Sequence, residues 1–113
     1  MRPLSRLDTV TAMMERYNAR DAAGYAAFFA DDGCEAQYRG DVVRDGRAGV
    51  ESGMAAVFAE FPQNHAEVLQ SFELVDRVAL HERVRRSPDA EPFDVMTIYS
   101  FSGDKVSRVE FIR

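Results

Sequence analysis

The chain has 113 residues, 46% of them hydrophobic and 29% charged, with a formal net charge of −5 from 14 Lys+Arg against 19 Asp+Glu. That composition describes one globular domain spanning residues 1–113, and its acidic balance argues against nucleic acid, whose phosphates demand a basic face. No run approaches the roughly 20 apolar residues of a membrane span, the opening MRPLSRLD lacks an apolar secretory segment, and the single Cys34 permits no internal disulfide, so a cytoplasmic protein with no membrane partner is expected.

Ser5 with Asp8 three residues later resembles a capping box, with Pro3 just outside it, and Leu7, Val10, Met14 and Tyr17 then recur at helical spacing. A second, shorter helix is expected after Asp21, whose carboxylate can accept from the free N–H groups that follow. Tyr25, Phe28 and Phe29 supply its apolar face, and Asp31-Asp32-Gly33 stops it. Cys34 to Tyr38 reads as a short strand with Glu35 and Gln37 on one side and Cys34, Ala36 and Tyr38 on the other. Arg39-Gly40-Asp41 reads as a turn, and Val42-Val43 as a further short strand. Val50, Met54, Val57 and Phe61 mark a third helix that Pro62 ends, with Gly49 and Gly53 weakening it unless close packing requires them.

From Asn64 to Arg113 the pattern changes to period-two alternation. Four runs rich in Val, Phe, Tyr, Ile and Thr (NHAEVLQSFELV, RVALHERVRR, FDVMTIYSFS and KVSRVEFIR) are separated by a turn at Asp76, a loop from Ser87 to Pro92 and a Gly103-Asp104 turn. This is an antiparallel meander, and the N-terminal half is the only material available to cover it. The fold class is therefore α+β: three N-terminal helices packed on a curved, mixed but mainly antiparallel sheet.

YNARDAAGYAAFFADD (Tyr17 to Asp32), FAEFP (Phe58 to Pro62), HERV (His81 to Val84) and the closing GDKVSRVEFIR together resemble the nuclear-transport-factor-2-like superfamily in its SnoaL-like branch, over nearly the whole chain. The resemblance implies a cone-shaped half-barrel with a pocket for a small, largely apolar molecule between helices and sheet, and a homodimer formed through the sheet. Its members include isomerases, dehydratases, cyclases and hydrolases alongside binding modules, so fold alone does not fix function. Ketosteroid isomerases of this superfamily use a Tyr, an Asp base and a protonated Asp. Counting along the chain places those roles on Met13, Gln37 and Thr97, which cannot perform them, so steroid isomerisation by that mechanism is not expected. The Arg and acids of limonene-type epoxide hydrolases fall on Arg83, Arg85 and Phe111, and a guanidinium cannot replace the missing acid.

On the strand holding His81 and Arg83, amphipathicity puts Val78, Leu80 and Val84 toward the core and sends His81 and Arg83 to solvent. The resemblance implies the reverse: a pocket lined by His81 and Arg83, and a dimer contact through Val78, Leu80 and Val84 with Met96 and Ile98. On that placement His81 is the general base and Arg83 the anion stabiliser, with Tyr99 a hydrogen-bond donor and Glu35 the acid beside Arg83 or an alternative base. Met13, Tyr17, Phe28, Gln37, Phe58, Thr97, Val109 and Phe111 are the remaining ligand-binding candidates. His65 and His81 lie far apart without a ligand motif and no glycine-rich phosphate loop is present, so neither metal nor cofactor is expected. The expected activity is cofactor-independent proton transfer on a small carbonyl or hydroxyl compound. The rival reading is a non-catalytic ligand-binding or dimerising module of the same fold.

Overall fold

The Ser5 capping box forms as its spacing predicts: the Asp8 backbone N–H donates to Ser5 Oγ at 3.0 Å and the Ser5 N–H to Asp8 Oδ2 at 3.3 Å, opening α1 (Arg6–Asn18). The structure, a computed structural model, describes residues 5–113, so Pro3 lies outside the described residues. Helix α1 buries Val10, Met13 and Met14. Asp21 caps α2 (Ala22–Ala26) by accepting from the Gly24 N–H at 2.9 Å.

Helix α2 is shorter than its apolar pattern predicts, because Phe29 already belongs to a strand, β1 (Phe29–Gln37). Tertiary pairing overrides the local preference here: the Val106 N–H donates to the Phe28 carbonyl at 2.9 Å, and Phe29 pairs with Val106. The register shifts between Phe29 and Cys34, where the chains approach so closely that a Cβ on Gly33 would lie 2.8 Å from the Val106 carbonyl oxygen. Strand β2 (Val42–Asp45) turns back against β1 and leads into α3 (Gly46–Glu60), which buries Val50, Met54 and Phe58. Phe61 caps α3 rather than extending its buried face, and Pro62 follows.

The four C-terminal runs form β3 (His65–Glu73), β4 (Arg77–Arg85), β5 (Phe93–Ser102) and β6 (Lys105–Ile112). The six strands make one unclosed sheet in the order β2-β1-β6-β5-β4-β3, in which β1 and β6 run parallel and every other neighbouring pair antiparallel. Helix α1 lies over β3 and β4, α3 over β1 and β2, and α2 joins them. The expected α+β cone is the fold observed.

Alternation on β4 and β5 decides which residues meet the helices. Val78, Leu80 and Val84 are buried, as are Val95 and Tyr99, and each such burial is worth about 1.5–3 kcal/mol of transfer free energy. The dimer surface expected on Val78, Leu80 and Val84 is therefore wrong: these side chains build the core. Met96, 43% exposed, does face outward. Two asparagines tie the helices to the sheet: Asn18 exchanges hydrogen bonds with the Ala66 backbone at 2.8 and 2.9 Å, while fully buried Asn64 donates to the Tyr17 hydroxyl at 2.9 Å.

Candidate active site

Between the helices and the inner sheet face lies a cavity of about 290 Å³. Its walls come from both halves of the chain: Met14, Tyr17 and Tyr25 from the first helices, Glu35 and Gln37 from β1, Arg44 from β2, Met54 from α3, and Glu82, Thr97, Tyr99 and Phe111 from the meander. Exposed Val43 and Arg113 mark its open end.

Two carboxyl groups reach this cavity with different partners. Glu35, only 1% exposed, accepts from the Tyr25 hydroxyl at 2.9 Å and from Arg44 Nη1 at 2.8 Å. The register makes this possible, because Arg44 stands directly opposite Glu35 on the neighbouring strand. Arg44 also explains Gly53, since a Cβ there would collide with the Arg44 side chain on its way to Glu35. Burial lifts the Glu35 carboxyl above its ordinary value, and the Arg44 charge and the Tyr25 hydroxyl pull it back.

Glu82 is 5% exposed and has no guanidinium within ion-pair distance among the described residues. Burial pushes its carboxyl up to about 7; the Thr97 hydroxyl offsets part of that rise, and the charge of Glu35 adds to it. Of the two acids, Glu35 is the one paired with a neighbouring cation, and Glu82, without one among the described residues, is the one whose carboxyl is raised to about 7. Around them stand two buried phenols, Tyr25 and Tyr99, and the partly buried Tyr17, all raised above the ordinary tyrosine value chiefly by burial and so kept protonated as donors. Tyr25 gives its proton to Glu35, and the Tyr99 hydroxyl reaches Met14 Sδ at 3.5 Å, a weak acceptor. Tyr17 accepts from Asn64, which leaves its own proton available to a bound molecule.

Of the residues predicted from sequence, Glu35, Tyr99, Tyr17, Gln37, Thr97 and Phe111 line the cavity. Met13 and Val109 are wholly buried in the core, Phe28 packs against that core, and Phe58 supports the wall by packing edge-on to Tyr17 at 5.4 Å. His81 and Arg83 are not in the cavity. Odd-numbered positions of β4 point to the outer face, where both side chains bind Asp94 at 2.9 Å and are 36% and 46% exposed. The acid beside Arg83 is thus Asp94, and Glu35 belongs to Arg44. Glu82, Tyr25 and Arg44 escaped the sequence reading, although alternation places Glu82 with Leu80 and Val84.

A curved, unclosed mixed sheet covered by three helices around a cavity defines a cone of the nuclear-transport-factor-2-like superfamily, in its SnoaL branch. Residues 10–109 match the family model of the SnoaL-like domain, and the chain belongs to that family. It is similar to a crystal structure of an uncharacterised cystatin-fold protein from Novosphingobium aromaticivorans, with 51% identity, a TM-score of 0.93, and 98% of this chain and 100% of that one covered. At 16% identity and a TM-score of 0.79, covering 93% of this chain and 84% of the other, it shares its fold with a hypothetical protein of ketosteroid isomerase-like fold from Catenulispora acidiphila. An NTF2-like protein from Cytophaga hutchinsonii has the same fold at 12% identity and a TM-score of 0.80, with 98% of this chain and 91% of that one covered. No curated protein matches the chain.

Proposed function

We propose that the chain is a cofactor-independent acid–base enzyme of the isomerase, dehydratase, cyclase or hydrolase kind, acting on a small, largely apolar carbonyl or hydroxyl compound. The observation that supports this most is the presence of two buried carboxyls in one cavity, one bound to Arg44 and the other without a cation among the described residues and raised to about 7. As a carboxylate, Glu82 takes a proton from carbon next to a carbonyl. The electron pair moves onto the carbonyl oxygen, which Tyr17 or Tyr99 meets with an O–H donor. The protonated Glu82 then returns its proton to a different carbon, which isomerises the compound, or to a leaving hydroxyl, which releases water.

Cavity size limits the substrate. An apolar cavity of about 150 Å³ holds benzene, so a volume of about 290 Å³ fits one substituted ring in place of a fused four-ring compound. The test is deuterium exchange at the α-carbon of small aryl ketones such as phenylacetone in D₂O, followed by NMR. A positioned base accelerates such exchange roughly 10²–10⁴-fold, and Glu82→Gln should return it to the buffer rate. If the wild-type protein leaves every ketone at the buffer rate, the binding-module reading replaces this one.

The same reading includes a cytoplasmic location and a homodimer through the outer sheet face, in which Met96 is kept from the residues first expected and Phe72 and Ile112 stand in place of the buried Val78, Leu80 and Val84. Phe72, Met96 and Ile112 are 56%, 43% and 37% exposed, and Met96 pairs with Ile112 across β5 and β6. Light scattering at micromolar concentration should report twice the chain mass, and the chain mass alone would remove the dimer.

A further inference from the structure

We propose that the substrate of this cavity is a small organic monocarboxylate, whose carboxylate is held at the open end by Arg86 and Arg113 while its apolar body extends inward to Glu82. The proposal rests on the acid–base reading of the same cavity and adds the ligand class and its orientation. It starts from a charge distribution at odds with the rest of the chain. The chain carries a net −5, yet three arginines and two glutamates are among the residues that line the cavity, and both glutamates are buried.

Arg44 is already bound to Glu35. Arg86 and Arg113 have no carboxylate within ion-pair distance among the described residues. Both are nonetheless held in place. Arg86 donates from Nη1 to Asn64 Oδ1 at 3.0 Å and lies 5.2 Å from the ring centres of both Phe61 and Phe93. Arg113 stacks on the same Phe93 ring at 3.9 Å. Asn64 is itself fixed by its bond to Tyr17 and is fully buried, so Arg86 is braced from behind and keeps N–H donors for a ligand.

A planar fork braced by aromatic rings, without an internal counter-ion, matches a carboxylate, which accepts two parallel N–H bonds. A neutral ligand would leave both cations without an anionic partner. A carboxylate deep in the cavity would meet Glu35 and Glu82, so the polarity of the walls fixes which end of the molecule enters first.

The experiment compares phenylacetate with phenylacetamide, nearly equal in shape and different in charge, by calorimetric titration at low and high salt. Wild-type protein should bind phenylacetate roughly tenfold or more tightly, the value of charge-assisted hydrogen bonds, and added salt should shrink that preference. Arg86→Met and Arg113→Met should each lower phenylacetate affinity and leave phenylacetamide affinity unchanged. Arg113→Met lies at the exposed rim, so it keeps the test valid if Arg86→Met perturbs folding. Glu82→Gln should retain the preference for the anion, which separates this inference from the catalytic one. Equal affinity for the two probes, no binding of either at millimolar concentration, or parallel losses for both in the arginine variants would each overturn it.

Discussion

Replacing Glu82 by Gln should stabilise the protein at neutral and alkaline pH while abolishing proton transfer. Burial raises the Glu82 carboxyl from 4.5 to about 7, so the folded state holds this proton over a range where the unfolded chain has released it. The resulting stabilisation is fully present below about pH 4.5 and is lost as the pH rises through about 7. At about 1.4 kcal/mol per pH unit, that displacement is worth up to about 3.5 kcal/mol, which at about 4 °C per kcal/mol is a change of about 14 °C in melting temperature. Gln keeps a side-chain oxygen for the Thr97 hydroxyl and has no proton to lose. The assay is thermal and urea unfolding of both proteins from pH 4.5 to 8.5. The stability difference, variant minus wild type, should rise by about 3 kcal/mol across that range, and groups common to both proteins cancel from it. A difference that stays flat with pH would show that Glu82 is not the titrating group.

If Glu82 is the base, the second-order rate of ketone exchange should rise with pH and level off above a midpoint near 7, and a flat profile would count against that role. Arg44→Met should destabilise the fold by about 3–5 kcal/mol in denaturant unfolding, since it leaves the Glu35 carboxylate buried without its cation. His81→Ala and Arg83→Ala, on the outer face, should leave exchange rates and phenylacetate affinity unchanged. A loss in either would mean that the outer triad with Asp94 communicates with the cavity.

Local chemistry wrote much of the fold into the sequence. The Ser5–Asp8 box, the Asp21 cap, Pro62 and the Gly103-Asp104 turn are short-range signals, and the four alternating runs match β3 to β6 almost residue for residue. The early ending of α2 was not legible, because what makes Phe29 a strand residue is Val106, far away in the chain. On β4 the alternation carried the answer: the even positions Val78, Leu80, Glu82 and Val84 form one row, and the acid in that row must share the fate of its apolar neighbours. Reading the face from the resemblance inverted it, with His81 and Arg83 drawing attention as useful chemistry. Arg44, Arg86 and Arg113 gave no such signal, since nothing local shows that three scattered arginines meet at one cavity.

The parallel pairing of β1 with β6 has a consequence for how the molecule assembles. The meander from β3 to β6 closes through short turns, whereas β1 must wait for a strand near the opposite end of the chain. Loop-closure entropy predicts a late seam, which would bring Glu35 and Glu82 to the same cavity only near the end of folding. Phe29→Leu, on β1 opposite Val106, should therefore accelerate unfolding in stopped-flow experiments far more than it slows refolding. The acid pair would then be the last part of the protein to appear and the first to come apart.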